Sequence, residues 1–296
     1  MKHYRISHTT SYTYDGLVSL CHNEARLTPR PFAWQACVSS AVTTTPLPSN
    51  KRDRRDFFGN RVHYFAIQEP HEQLTITVTS EVSIAAPPKE ADANASQPWE
   101  KVVSFVRQQL VSPESDARTF TLPSPLIPTE EPFAEYAGPS FAAGRPMLEA
   151  VEHLMNRIDV DFTFVSGATT IATPLAEVLM HRQGVCQDFA QLMIACLRSL
   201  GLAARYVSGY LETLPPPGQE RLVGADASHA WVEVYDPDAG WQAFDPTNNL
   251  RPGDKHIILS LGRDFSDVTP LKGIMMGSGR HDLEVTVDVM PVKNNV

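Results

Sequence analysis

At 296 residues, 42% of them hydrophobic and 20% charged, the chain can bury a sizeable core in one large or two modest domains. Its formal net charge is −9, and acids break the densest basic run, Lys51-Arg52-Asp53-Arg54-Arg55, so nucleic-acid and anionic-membrane partners are disfavoured. No run approaches membrane-spanning length and the start, Met-Lys-His-Tyr-Arg-Ile-Ser-His, has no apolar secretion segment, so a cytoplasmic protein is expected.

Four cysteines, Cys21, Cys37, Cys186 and Cys196, stand at spacings that fit neither a disulfide framework nor a paired zinc site. Reduced thiols are expected, with no metal and no other cofactor.

From Tyr4 to Ile84 the pattern has period two: Tyr4, Ile6, His8, Thr10, Tyr12, Tyr14, then Trp34, Ala36, Val38, then Leu74, Ile76, Val78, Ser80, Val82, Ile84. Turn signals at Asp15-Gly16, Thr28-Pro29 and Gly59-Asn60 separate the runs, which predicts an antiparallel β module of about five or six strands over residues 1–90. The basic run at Lys51 reads as a solvated hairpin end.

Residues 87–96 have little to bury and read as a linker. Trp99, Val102, Val103, Val106 and Leu110 recur at helical spacing until Pro113, and Pro123, Pro125, Pro128 and Pro132 predict an extended connection. A second amphipathic helix runs from Met147 to Ile158, with Pro146 at its start. Phe162 and Phe164 suggest a short strand, and Pro174 to His181 a short helix.

Between Gly184 and Gly201 the residues Phe189, Ala190, Leu192, Met193, Ile194, Ala195, Cys196, Leu197 and Leu200 leave almost no polar face, so this helix belongs inside the domain. Cys186 falls in its first turn. There the unpaired N–H groups and the positive end of the helix dipole favour thiolate over thiol, against the partial opposition of Asp188.

Ala203 to Leu211 reads as a strand, and Pro215-Pro216-Pro217-Gly218 opens a loop ending near Ala225. His229 to Tyr235 alternates, Asp236 to Gly240 turns, and Trp241 to Asp245 returns. With a three-residue loop Tyr235 pairs with Ala239 and His229 lies opposite Asp245. With a five-residue loop Tyr235 pairs with Trp241 and Asp245 lies one diagonal step from His229. Both registers keep His229 and Asp245 on one face with Trp231 and Glu233, because the side-chain period is two. A carboxylate beside a histidine fixes its tautomer and stabilises the imidazolium, so Cys186, His229 and Asp245 are the candidate nucleophile, base and orienter. The segment 91–280 is expected to be the catalytic domain. Residues 281–296 contain a last strand, for which an edge of the N-terminal module is one option and the sequence does not fix the sheet.

Four blocks, Gly184-Val185-Cys186-Gln187-Asp188-Phe189-Ala190, Ala203 to Tyr210, His229 to Val234 and Gly240 to Thr247, resemble the transglutaminase-like superfamily of papain-type cysteine enzymes. The N-terminal module is similar to the region that precedes the core in bacterial members. The resemblance implies an α+β fold, a buried helix carrying the cysteine packed on an antiparallel sheet, and it puts the family's nucleophile, base and acid on Cys186, His229 and Asp245. Animal crosslinking members carry Trp after the nucleophile where this chain has Gln187, which favours hydrolysis of an amide or peptide bond through a thioester. The expected activity is that of a protease or amidase on a peptide or protein substrate. The alternatives are an acyltransferase, deamidase or transglutaminase with the same three residues, or a non-catalytic peptide-binding module. The Cys186 N–H is a natural oxyanion donor. Gln183 and Trp231 are candidate substrate contacts, and Trp241 a further wall of the site.

Overall fold

The computed structural model describes residues 1–86, 90–108, 117–213, 228–277 and 279–292. The loop expected at Pro215–Ala225, together with Leu110 and Pro113, lies outside them. Six strands fill most of the first part: β1 (Lys2–Val18), β2 (Leu20–Ala25), β3 (Gln35–Thr45), β4 (Asn50–Arg55), β5 (Arg61–Ile67) and β6 (His71–Ile84). Alternation sets the buried face, with Tyr4, Ile6, His8 and Thr10 of β1 and every second residue of β6 from Leu74 to Ile84 inside. The basic run is the exposed strand β4 rather than a hairpin end. Asp15-Gly16 does not end a strand either, since β1 continues through a register irregularity between Thr13 and Val18.

Along β3 the expected face is wrong by one residue. Val38 is 65% exposed and Gln35 fully buried, opposite Ile84, with a bulge between Cys37 and Ser39. A buried amide is tolerated when both its ends are bonded, and Gln35 finds its partners 223 residues further on, at Ile258.

The helical part begins with α1 (Trp99–Gln108), which buries Val102, Val103 and Val106. The proline-rich connection is not extended throughout: Pro132 occupies the first turn of α2 (Glu131–Ala137), where no N–H is needed, and Phe133, Tyr136 and Ala137 enter the core. Next come α3 (Met147–Asp161), β7 (Thr163–Phe164), α4 (Leu175–His181) and β8 (Gln183–Gly184), which pairs in parallel with β7. The central helix α5 (Cys186–Ser199) is buried from Asp188 to Arg198 and stops at Gly201 in the left-handed region. Arg198, 2% exposed, holds its last turn by donating to the carbonyls of Phe120, Ala204 and Arg263.

Strands β9 (Ala204–Leu211), β10 (Ser228–Asp236), β11 (Gly240–Phe244) and β12 (His256–Gly262) form an antiparallel sheet in the order β11-β10-β9-β12. Ala230, Val232, Val234 and Phe244 share a core with α5, as the alternation requires. Val207, Trp231, Ile258 and Leu261 on the other side close over Phe32 and Trp34 of the N-terminal region. The short α6 (Phe265–Val268) leads to β13 (Leu271–Met276) and β14 (His281–Pro291). The last strand joins β1 over eleven residues, from Tyr4 opposite Pro291 to Tyr14 opposite His281. Residues 271–276, grouped above with the catalytic segment, pair with β2, so the two N-terminal sheets read β14-β1-β6-β3 and β13-β2-β5-β4.

Candidate active site

Val185 precedes α5 with extended backbone, and Cys186 is the first helical residue, partly exposed. Asp188 closes this end: its Oδ2 accepts the Val185 N–H at 2.8 Å and the Thr169 hydroxyl at 2.5 Å. The arrangement is one half of a capping box, since valine has no side-chain acceptor to return the bond. Gly184 is required by this cap, because a Cβ there would sit 2.9 Å from the Asp188 Cβ and Oδ2. Among the described residues no backbone acceptor takes the N–H of Cys186 or Gln187, so the first turn of α5 keeps two unpaired donors next to the residue that carries the sulfur.

The hairpin takes the second of the two registers, Tyr235 opposite Trp241. Asp245 then lies just beyond β11, bridged to Leu250, and reaches His229 diagonally. His229 Nε2–H donates to Asp245 Oδ2 at 2.7 Å. That leaves Nδ1 for the side of the thiol, and Cys186 is close enough to act on the charge of the ring. Burial is the largest single influence on His229 and opposes its charge. Asp245 and Cys186 together outweigh it and raise the ring to about 9 from an ordinary 6.5.

Asp245 is fully buried, and five donors reach its carboxylate. Oδ2 accepts from His229 and also from Asn248 Nδ2 at 2.8 Å and His256 Nε2 at 3.2 Å, while Oδ1 accepts the N–H of Thr247 at 3.0 Å and of Asn248 at 3.2 Å. Burial alone would push the acid up. These bonds, with the charge of His229, hold it well below the usual carboxylate range.

The three residues counted out from the sequence therefore meet. The two expected substrate contacts fare differently. Trp231 is 1% exposed, and its indole lies edge-on to His256 with ring centres 5.2 Å apart and 6.0 Å from the ring of His229. It braces the histidines from behind and offers a substrate almost no surface, which corrects the expectation. Gln183 is exposed on β8, three residues before the sulfur. Trp241 is covered by the Arg205 guanidinium, 4.0 Å above its ring, and packs beside Phe120 and Tyr235. Asn248 and His256 were missed. Asn248 follows the hairpin by three residues and was findable as a local cap on Asp245, but His256 belongs to a separate strand. His229, Asp245 and His256 also present donor atoms of the kind divalent ions take, all within 4.8 Å of one another. Direct hydrogen bonds of 2.7 and 3.2 Å from the two rings to Asp245 already engage these atoms with one another.

A thiol at a helix mouth, facing an imidazole that a buried carboxylate holds, is the arrangement of the papain-type cysteine enzymes. Within that class the chain belongs to the transglutaminase-like superfamily: the model of that superfamily matches residues 135–246, and the model of the bacterial transglutaminase-like N-terminal region matches residues 4–83. The uncharacterised protein Rv2569c of Mycobacterium tuberculosis is 43% identical over 301 residues, covering 99% of this chain and 94% of that one. A protein-glutamine gamma-glutamyltransferase of Pseudomonas aeruginosa is 30% identical over 149 residues, half of this chain and 22% of that protein. The crystal structure of a candidate cysteine protease from Cytophaga hutchinsonii shares the fold, with a TM-score of 0.76 at 20% identity, covering 100% of this chain and 92% of that one.

Proposed function

We propose that the protein hydrolyses an amide or peptide bond through a thioester on Cys186, with His229 as acid and base and Asp245 as its orienter. The observation that carries this reading is geometric: His229 Nε2–H donates to the buried Asp245 at 2.7 Å, and Cys186, at the partly exposed start of α5, acts on the same ring. At neutral pH the ring holds both protons and can give one away. The Cys186 sulfur attacks the acyl carbon, and the oxyanion that forms faces the free N–H groups of Cys186 and Gln187. His229 Nδ1–H then protonates the leaving amine as the C–N bond breaks. Water attacks the thioester while the neutral Nδ1 takes its proton, and the carboxylic acid leaves with the sulfur restored.

Gln187, in place of the tryptophan of crosslinking relatives, favours water as the acceptor. A second reading, transfer of the acyl group to an amine, is favoured by the similarity of half the chain to a gamma-glutamyltransferase. Incubation of the protein with a glutamine-containing peptide library, with and without a primary amine, separates the two by product mass. Cleaved or deamidated products that are insensitive to the amine support hydrolysis, and amine adducts support transfer. If neither forms, or if Cys186→Ala makes the same products, the reading fails.

A further inference from the structure

His256 opens β12, is 4% exposed and lies outside the hairpin that carries His229 and leads to Asp245. Its Nε2 stands 3.2 Å from Asp245 Oδ2, and its Nδ1 receives the N–H of Gly253 at 3.4 Å. Both contacts are satisfied only by a neutral imidazole with its proton on Nε2. The carboxylate oxygen that orients His229 is thus shared with a second, uncharged ring, whose plane Trp231 fixes from the side.

Strand β12 is at the edge of its sheet, and its outer side meets side chains of the N-terminal module instead of another strand. Gln35, fully buried, donates to the Ile258 carbonyl at 2.8 Å and accepts the Ile258 N–H at 2.9 Å. Asn60, 1% exposed, repeats the pattern at Leu261, donating at 2.7 Å and accepting at 2.9 Å. The two amides bracket the point, between Ile258 and Ser260, where the β9–β12 register shifts.

We propose that His256 is a positioning residue, which holds Asp245 in the orientation His229 needs, and that the N-terminal module seats it through Gln35 and Asn60. The proposal rests on the triad reading above. A neutral donor suits this role, because it fixes the carboxylate without placing a second positive charge beside the imidazolium. The module is then part of the active site's frame.

The test uses the full chain, a peptidyl 4-nitroanilide, whose leaving nitrogen needs a proton, as acyl donor and iodoacetamide as the probe of Cys186, between about pH 5 and 10. His256→Phe, which keeps a ring and loses the donor, is expected to lower kcat about tenfold or more with KM little changed, and to move the alkaline limb down by about one pH unit. His256→Gln, which restores an N–H, recovers much of both. Gln35→Met, far from the sulfur, shifts the limb in the same direction. A folded His256→Phe protein with the parent's kcat and limb overturns the proposal. Should that variant not fold, nitrogen NMR of the unmodified protein decides: a His256 proton on Nε2, hydrogen-bonded to Asp245, supports it, and a proton carried on Nδ1 alone overturns it. If Cys186 of the unmodified protein alkylates no faster than a free thiol and Cys186→Ala keeps the anilide turnover, the triad reading itself falls and this proposal with it. An active, Cys186-dependent enzyme indifferent to His256→Phe sinks only the positioning role.

Discussion

His229 lies between Asp245 and Cys186, and its two ring nitrogens have separate roles. Because leaving-group departure needs the imidazolium, kcat/KM should fall as pH rises through about 9, where the ring loses its proton. A rate that keeps climbing beyond that value would show that another group supplies the proton. Asp245→Asn keeps the shape but offers one acceptor and one donor where five donors converge. It is expected to cut kcat by about three to four orders of magnitude through the wrong imidazole tautomer, with the circular dichroism spectrum unchanged. The same three residues were legible in the sequence for a simple reason. The parity of a hairpin puts His229 and Asp245 on one face whichever register forms, and a helix start is recognisable without knowing what packs on it. Trp231 was misjudged because alternation reports a face and does not report whether that face is wet.

Strand β9 lies between the strand of His229 and the strand of His256. Gly209 of β9 lies opposite both His229 and Ile258, and the Trp231 indole crosses over it: a Cβ there would come 2.3 Å from the Ile257 carbonyl oxygen and 2.4 Å from the indole. Gly209→Ala should therefore cost about 1–3 kcal/mol of stability, measurable by urea titration, and should lower kcat by displacing the indole from the histidines. A variant as stable and active as the parent would mean that the strands part without consequence. Elements with a clear period or a hairpin turn of their own were readable, among them β6, α3, α4, α5 and the β10–β11 hairpin. Those without such a signal were not. Strand β12 is an apolar run, Ile257 to Leu261, without alternation, Gln35 is buried against it from the other end of the chain, and α2 is hidden among prolines that suggest an extended chain.

Two histidines give the whole molecule opposite responses to pH. His8, 3% exposed between Tyr210 and Thr10, is held down to about 4 by burial. An unfolded chain takes up that proton near 6.5, so stability is lost as pH falls from 6.5 toward 4. His229 works the other way: its contribution is complete below 6.5 and is lost as pH rises through about 9. The thermal midpoint should peak near pH 6.5, and His8→Gln should flatten only the acid side. A midpoint that climbs steadily to pH 9 would contradict the assignment of His229. Removal of residues 281–296 takes away β14 with its buried Val287 and Val289. The shortened chain should lose at least about 3 kcal/mol and should self-associate through the bared edge of β1, visible by light scattering.

The pairing of Tyr4 with Pro291 also sets a timetable for synthesis. One side of the strand of residues 2–18 waits until residues 281–291 have been made. The nascent polypeptide must carry that open side outside the exit tunnel until then, which makes it a natural client for a ribosome-associated chaperone.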